Sequence, residues 1–79
     1  GQTRALLVGT YKQTADRDLC LEQLDELESL CNTYRLIAVQ KIPCPIKAYD
    51  TSTFIGKGKV QELLALALAE EIDVVIFDD

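Results

Sequence analysis

Three short apolar segments constrain the fold of this chain more than any other feature of its sequence. They are residues 4–9, 36–42 and 73–77, and each is dominated by Leu, Val, Ile or Ala. Short apolar runs of this kind are typical of strands that are buried on both faces. Pro43 and Pro45 follow closely on the second run and lack a backbone N–H, so we expect its strand to end there.

The two intervening stretches have the spacing of amphipathic α-helices. The first can begin at Asp16 or Asp18, whose carboxylates suit the positive end of a helix. Its apolar face is formed by Cys20, Leu24, Leu27, Cys31 and Tyr34. The apolar face of the second is formed by Val60, Leu63, Leu64, Ala67 and Leu68. Both sets recur at spacings of three and four residues, so each face is predicted to pack against the strands.

The element order β-α-β-α-β defines the fold class. Helix-length connections between apolar strands require parallel pairing and right-handed crossovers. We therefore predict an α/β fold, a small three-layer Rossmann-like or flavodoxin-like unit with a short parallel sheet. Residues 1–79 are expected to form one domain, because a chain of this length supports a single small core. The chain lacks Met and stops directly after its third apolar run, so we expect a truncated fragment of a longer protein.

Charge is distributed unevenly along the chain. The net charge is −5, which argues against a general affinity for nucleic acids. Residues 35–60, however, contain five basic side chains and one acidic side chain, whereas residues 61–79 contain six acidic and no basic ones. The middle of the chain is therefore able to present a positive face to phosphate groups. The alternative is that these basic side chains only solvate a turn and a strand edge.

The residue types present exclude several kinds of chemistry. Without His, the chain has no His-containing metal site and no His-based catalysis. No nucleophile can be paired with a base, so we predict no catalytic residues and no metal ligands. Cys20, Cys31 and Cys44 are scattered and odd in number, which indicates reduced thiols in an intracellular protein. No apolar run approaches the roughly 20 residues that a membrane span needs.

The strongest candidate for a binding site is formed by Gly56, Lys57, Gly58 and Lys59. This glycine–lysine stretch is not a Walker A loop, because Val60 stands where that motif needs a Ser or Thr for Mg²⁺. The dinucleotide fingerprint is absent too, since only Gly9 follows the first strand. Two glycines ahead of a helix start, with two lysines beside them, can nevertheless form a weak anion site. The alternative is a tight turn whose lysines remain in solvent.

Two further features lie where predicted strands end. Asp78 and Asp79 follow the third strand, at the edge where open α/β folds place their ligands. Tyr11, Tyr49 and Phe54 fall in predicted loops. Aromatic rings in loops can stack on a nucleic-acid base, or they can pack against the rim of the sheet.

Three segments of the chain, in order, resemble the N-terminal domain of the HflX-type GTPases. They are residues 4–9, 53–63 and 73–79. The most specific is 53–63, which matches the family's Thr, an aromatic residue, Ile-Gly-Lys-Gly-Lys-Val and a Glu-Leu pair. The resemblance covers residues 4–79, and the Pro-Cys-Pro sequence at 43–45 is where it is weakest.

The resemblance implies a ribosomal function. HflX-type proteins are cytoplasmic and associate with the large ribosomal subunit. In them this α/β domain precedes a G domain that binds GTP and Mg²⁺, and that G domain is absent from this chain. The chain itself is therefore expected to have no enzyme activity and no cofactor. It is expected to contact ribosomal RNA phosphate through Lys57 and Lys59, with Gly56 and Gly58 allowing close approach, and to modulate GTP hydrolysis by its own G domain.

Two alternatives stay open at this point. The domain is either a binding module for ATP or GTP in its own right, or a purely structural domain that packs on the G domain. In all cases an exposed sheet edge in the fragment allows a dimer to form.

Overall fold

The structure, a computed structural model, describes residues 1–46 and 55–78. The elements in these ranges are β1 (Thr3–Tyr11), a 3₁₀ turn (Thr14–Asp16), α1 (Arg17–Thr33), β2 (Leu36–Pro45), α2 (Lys57–Ala69) and β3 (Val74–Asp78). The order is the predicted β-α-β-α-β. Each of the five elements lies within two or three residues of its predicted position.

The three strands form one parallel sheet in the order β2-β1-β3. The central strand is therefore β1, and the two later strands flank it. This arrangement confirms the predicted parallel α/β sheet and explains why the first apolar run is the most buried. The side chains of Ala5, Leu6, Leu7 and Val8 have no exposed surface.

The two helices cover opposite faces of the sheet, which confirms the predicted three-layer architecture. Ala5 and Leu7 lie in one apolar cluster with residues of α1, such as Leu24. Leu6 and Val8 lie in a second cluster with Leu63 of α2. Successive side chains of a strand point to opposite faces, so the unbroken apolar run of β1 supplies both cores.

α1 packs closely on the carboxyl half of β1 because Gly9 has no side chain. A Cβ atom built at Gly9 would lie 2.7 Å from the Sγ of Cys20 and 3.2 Å from the Cγ of Leu24. The first of these distances is shorter than real Cβ contacts allow. The close packing between β1 and α1 therefore explains the glycine at position 9, and a phosphate-binding role is not needed to account for it.

The apolar run 36–42 was predicted to end as a strand at Pro43 and Pro45, and β2 includes both prolines and ends at Pro45. The N–H of Ile46 donates to the carbonyl oxygen of Tyr11 in β1 at 2.9 Å. Neighbouring backbone N–H groups of a strand point to opposite sides, and the N–H of Ile46 points to β1. The nitrogens of Pro45 and Pro43, one and three residues earlier, therefore face away from β1. They face the open edge of the sheet, where a missing donor costs no ladder hydrogen bond.

The predicted helix faces need correction at three residues. Tyr34 is 74% exposed, because α1 ends at Thr33 and Tyr34 is its C-cap residue. Leu64 and Leu68 of α2 are 60% and 82% exposed. The side of α2 that packs on the sheet is instead Val60, Leu63 and Leu66, with Leu63 alone fully buried among the residues described for this helix.

Both helices end on a residue in the left-handed conformation. Arg35 follows α1 with φ 61°, and Glu71 follows α2 with φ 54°. After α2, the N–H of Ile72 donates to the carbonyl of Ala67 at 2.8 Å, which is the Schellman arrangement. The side chain of Arg4 in β1 contacts the end of α2, because its Nε donates a hydrogen bond to the carbonyl oxygen of Glu70 at 3.0 Å.

Candidate functional site

The glycine–lysine stretch lies at the carboxyl edge of the sheet. In a parallel sheet all strands end at the same edge, and each following helix begins there. β1 ends at Tyr11, β2 at Pro45 and β3 at Asp78, while α2 begins at Lys57. Open α/β sheets bind ligands outside this edge, so the fold puts the candidate stretch in the expected place.

The start of α2 has no side-chain cap among the residues that the structure describes. Gly56 is the N-cap residue, with extended φ and ψ of −60° and 158°, and as a glycine it has no side chain that could accept from the first amides. The N–H of Val60 donates to the carbonyl of Gly56 at 3.1 Å, which is the first helical hydrogen bond. The first turn also contains no acidic residue. Free N–H groups at the positive end of a helix dipole favour an anion.

Gly58 and Lys59 lie inside the helix, which corrects the prediction that both glycines precede it. Among the described glycines none has a positive φ, so Gly58 is not required by the backbone conformation of a turn. A Cβ atom built at Gly58 would meet nothing within 4 Å. The backbone at Gly58 is therefore open to an approaching group.

The two lysines of the stretch differ in their surroundings. Lys57 is exposed and forms no ion pair with the parts of the chain that the structure describes. Lys59 is half-buried, and its Nζ lies 3.1 Å from Oε2 of Glu62 one turn further along α2. The charge of Lys59 is thus partly compensated, and Lys57 is the freer cation.

The structure divides the basic middle of the sequence instead of gathering it on one face. Arg35 precedes β2 and Lys57 follows it, and a strand of ten residues spans about 33 Å. Lys41 lies between them and is bound to carboxylates of α1, at 2.7 Å from Asp25 and 2.8 Å from Glu28. Those two hydrogen bonds raise the pKa of Lys41 to about 12. Lys47 lies outside the described residues.

A groove of about 360 Å³ opens at the same edge, between the end of β1 and the start of α1. It is lined by Thr10, Tyr11, Lys12, Asp16, Leu19, Cys20, Gln23 and Ile46. Tyr11 is the last residue of β1, so the prediction that it lies in a loop was wrong. Tyr49 and Phe54, the other two aromatic candidates, fall outside the described residues. Tyr11 alone among them is thus seen beside a groove.

Two buried thiols lie near the carboxyl edge of the sheet, Cys20 in α1 and Cys44 in β2. Burial raises the pKa of Cys44, an effect that the charge of Lys59 partly opposes. Burial and the nearby Asp78 raise the pKa of Cys20. Both thiols stay protonated near neutral pH, so they are poor nucleophiles. Cys20 lines the groove and packs on the α1 face of the sheet, whereas Cys44 packs with Leu63 on the α2 face.

The acidic residues described at the edge do not gather into a cluster that could hold a metal ion. Asp78 lines a shallow groove with Glu26 of α1, and Asp79 lies outside the described residues. Across residues 1–46 and 55–78, no three or more His, Cys, Asp or Glu side chains lie close enough together to hold a metal ion. Neither helix of these ranges has the length and hydrophobicity needed to cross a bilayer.

Four residues near this edge were not predicted from the sequence as site residues. Glu62 is the partner of Lys59, and its position three residues further along the helix is a signal that could have revealed it. Thr10, Lys12 and Gln23 line the groove. Lys12 directly follows the central apolar strand, and a polar residue there lies at the ligand-binding edge of a parallel sheet.

Comparison with known proteins gives a consistent result. A family model described as "GTP-binding GTPase N-terminal" matches residues 21–79. GTPase HflX of Alkalihalophilus pseudofirmus is 39% identical over 74 residues, which cover 94% of this chain and 17% of that protein. GTPase HflX of Escherichia coli is 37% identical over 75 residues, covering 95% of this chain and 17% of that protein.

GTPase HflX of Flavobacterium psychrophilum is more distant. It is 30% identical over 76 residues, or 96% of this chain and 18% of that protein. The chain therefore spans less than a fifth of the length of each of these relatives. No solved structure matches it with statistical significance.

Proposed function

Because the chain belongs to the family of GTP-binding GTPase N-terminal domains, as found in GTPase HflX, we propose that it is a non-catalytic recognition domain for RNA of the large ribosomal subunit. The glycine–lysine stretch at the start of α2 contacts the RNA backbone in this proposal. Its role is to position the domain on phosphate groups, since a lysine on phosphate carries no sequence information.

The rest of the proposal concerns the longer protein. The domain works in the cytoplasm as part of a GTPase, next to a separate G domain that binds GTP with Mg²⁺, and contact with the ribosome modulates GTP hydrolysis there. The residues of this chain do not fit that nucleotide chemistry. Val60 replaces the metal-binding hydroxyl of a Walker A loop, and the described residues offer no metal-binding cluster. GTP hydrolysis is therefore assigned outside residues 1–79.

One observation carries the proposal, namely that α2 begins in a way that does not favour the helix itself. A helix start is usually stabilised by a Ser, Thr, Asp or Asn cap and by acidic side chains in the first turn. Here a glycine occupies the N-cap, another glycine lies in the first turn, and both nearby charges are positive. Such a start leaves amides and cations available to an external anion, and the open space beside Gly58 gives that anion access.

The experiment is co-sedimentation of the chain with large ribosomal subunits across a series of salt concentrations. We expect binding that weakens as salt rises, because each neutralised phosphate releases counterions. Lys57→Ala is expected to lower the slope of log K against log salt by about 0.7 to 0.9, the value for one lost phosphate contact. Lys59→Ala is expected to change it less, because Glu62 already compensates Lys59.

Arg35→Gly is the matched control. It removes one positive charge from the opposite end of β2 and suits the left-handed conformation at that residue. Its salt slope is expected to equal that of the parent chain. If Arg35→Gly and Lys57→Ala had the same effect, binding would depend on overall charge and the assignment of the stretch would be wrong. If the parent chain did not sediment with subunits at low salt, the recognition function itself would be refuted, and packing on the G domain would be favoured.

A further inference from the structure

We propose that the groove between Tyr11 and α1 binds one unpaired nucleotide of RNA, with its base against the Tyr11 ring and its phosphate near Lys12. This inference rests on the proposed function and extends it, because it adds a contact to a base at a second place on the carboxyl edge. It concerns different residues from the glycine–lysine stretch and predicts a different dependence on salt.

The walls of the groove suit the flat face of a base. Tyr11, Leu19 and Ile46 supply apolar surface, and Leu19 is 53% exposed although its side chain is apolar. Aromatic side chains bind unpaired bases by stacking. In the folded chain Tyr11 occupies the last position of a buried central strand, at the mouth of the groove.

The walls are also held in place before any ligand arrives. The backbone of Tyr11 is joined to Ile46 by the 2.9 Å hydrogen bond described above. On the opposite side, Cys20 packs against Gly9 so closely that no side chain fits between α1 and β1. Sites for small ligands are usually preformed in this way, and a volume of about 360 Å³ lies within their usual range.

Polar groups in the groove suit the edge of a base and a single phosphate. Gln23 offers an amide donor and acceptor, Thr10 a hydroxyl and Asp16 a carboxylate acceptor. Among the described lining residues Lys12 is the one cation, and it is exposed. One lysine can neutralise a single phosphodiester, whereas the triphosphate of a free nucleotide needs several cations or a metal ion, and Asp16 in the same lining adds a further negative charge.

The position of the groove connects it to the proposed phosphate contacts. Tyr11 pairs with Pro45 at the carboxyl end of β2, and α2 begins at the same edge on the opposite face of the sheet. A single strand of RNA with its base in the groove can therefore cross the end of β2 towards the start of α2. Double-stranded RNA does not fit, since its bases are stacked inside the helix.

The test compares Tyr11→Leu with the parent chain in the same co-sedimentation series, and Tyr34→Leu is the matched control. Tyr34 is exposed at the other end of α1. We expect Tyr11→Leu to weaken binding about 5- to 100-fold, the usual effect of losing one stacked aromatic ring. The salt slope is expected to stay the same, because stacking releases no counterions. Tyr34→Leu is expected to bind like the parent. Since Tyr11 also touches the core, Gln23→Ala serves as a second variant on the exposed surface of α1.

A second probe separates this inference from the proposed function. Short single-stranded RNA of mixed sequence is added to the chain, and its binding is followed by quenching of tyrosine fluorescence. If the parent chain binds subunits, and the Tyr11→Leu and Gln23→Ala variants bind them as tightly as the parent does, the groove is not a base site. If subunits do not bind but RNA quenches the parent and not Tyr11→Leu, the groove is supported and the ribosomal function is refuted. If ATP quenches as strongly as RNA, the groove takes a free nucleotide and the inference is overturned.

Discussion

The two faces of the sheet are covered by helices that differ in how tightly they pack. α1 buries Cys20, Leu24 and Cys31, and α2 buries Leu63 alone among its described residues. α1 packs so closely against Gly9 that a Cβ atom there would overlap Cys20, whereas a Cβ atom at Gly58 of α2 would meet nothing within 4 Å. An ion pair joins α1 to the neighbouring strand, whereas the ion pair of α2 stays within the helix.

This difference separates the part of the fold that contributes most to stability from the part that contributes less. The α1 face has the tight contacts that hold a small domain together, and only the amino end of α1 lines the groove at Tyr11. The α2 face buries fewer side chains, its helix starts on a glycine with no acidic residue in the first turn, and Lys57 has no ion-pair partner among the described residues. Regions that bind are commonly the less stable parts of a fold, because groups satisfied inside the protein are not available to a ligand.

The largest expected effect concerns two leucines, one on each helix. Leu24→Ala is expected to lower the free energy of unfolding by about 2 to 5 kcal/mol, because it leaves a cavity in a fully buried site. Leu68→Ala is expected to change it by less than about 0.5 kcal/mol, since Leu68 is 82% exposed. Urea denaturation of both variants measures the difference, with Leu24→Val as a milder substitute if Leu24→Ala does not fold. Equal losses would show that the two faces contribute alike.

The next comparison uses two glycines with the same substitution. Gly9→Ala is expected to cost about 1 to 3 kcal/mol, because the new methyl group would overlap Cys20 and Leu24. Gly58→Ala is expected to stabilise the chain by about 0.5 to 1 kcal/mol, because alanine favours a helix and the site is empty. Denaturation gives both values. Gly58→Ala is also expected to weaken subunit binding, so a variant that is more stable and binds as well as the parent would contradict close approach at Gly58.

The smallest effect concerns the two paired lysines and their dependence on pH. Lys59→Met is expected to change the free energy of unfolding by no more than about 0.2 to 0.5 kcal/mol, because the helix dipole at the start of α2 opposes the gain from the pair with Glu62. Lys41→Met is expected to cost more, because Lys41 joins β2 to α1. The pKa of Lys41 is raised from 10.5 to about 12, so its contribution is complete below pH 10.5 and is lost as the pH rises through about 12.

The check is the difference in urea midpoint between the parent and Lys41→Met, measured at pH 8, 9.5 and 11. It should stay constant over the first two values and begin to shrink at the third. The raised pKa values of Cys20 and Cys44 make both proteins less stable at alkaline pH, and this effect cancels from the difference. A difference that grows with pH would have the wrong sign for the proposed pairing.

Sequence patterns predicted the strands better than the helix faces. The apolar runs at 4–9 and 73–77 each contain enough β-forming residues to identify a strand. Burial alternates along β3, as the geometry of a strand requires, whereas β1 is buried on both faces because it is the central strand. The helix faces were less certain, because a stripe of leucines on α2 is compatible with several rotations about the helix axis. Leu64 and Leu68 fit the helical spacing as well as Leu66 does, and only the position of the sheet decides which of them is buried.

The candidate site, like the fold, was only partly predictable from the sequence. The glycine–lysine stretch was recognisable from its residues, and its place at the carboxyl edge follows from the parallel order of the strands. The difference between Lys57 and Lys59 also depends on a neighbour within the helix. The groove was not recognisable, because it is made of residues from the end of β1, the start of α1 and the end of β2, which no local pattern brings together.

The sequence by itself determined that this chain alternates strands and helices and that its strands run parallel, because periodicity and connection length are local properties. It also supplied the family, through the glycine–lysine stretch. Only the tertiary structure decided which helix face is buried, that Pro43 and Pro45 are tolerated in β2, and that the basic middle of the chain is divided between two ends of a strand. These outcomes depend on which elements are neighbours in space, and burial and charge compensation are properties of neighbours.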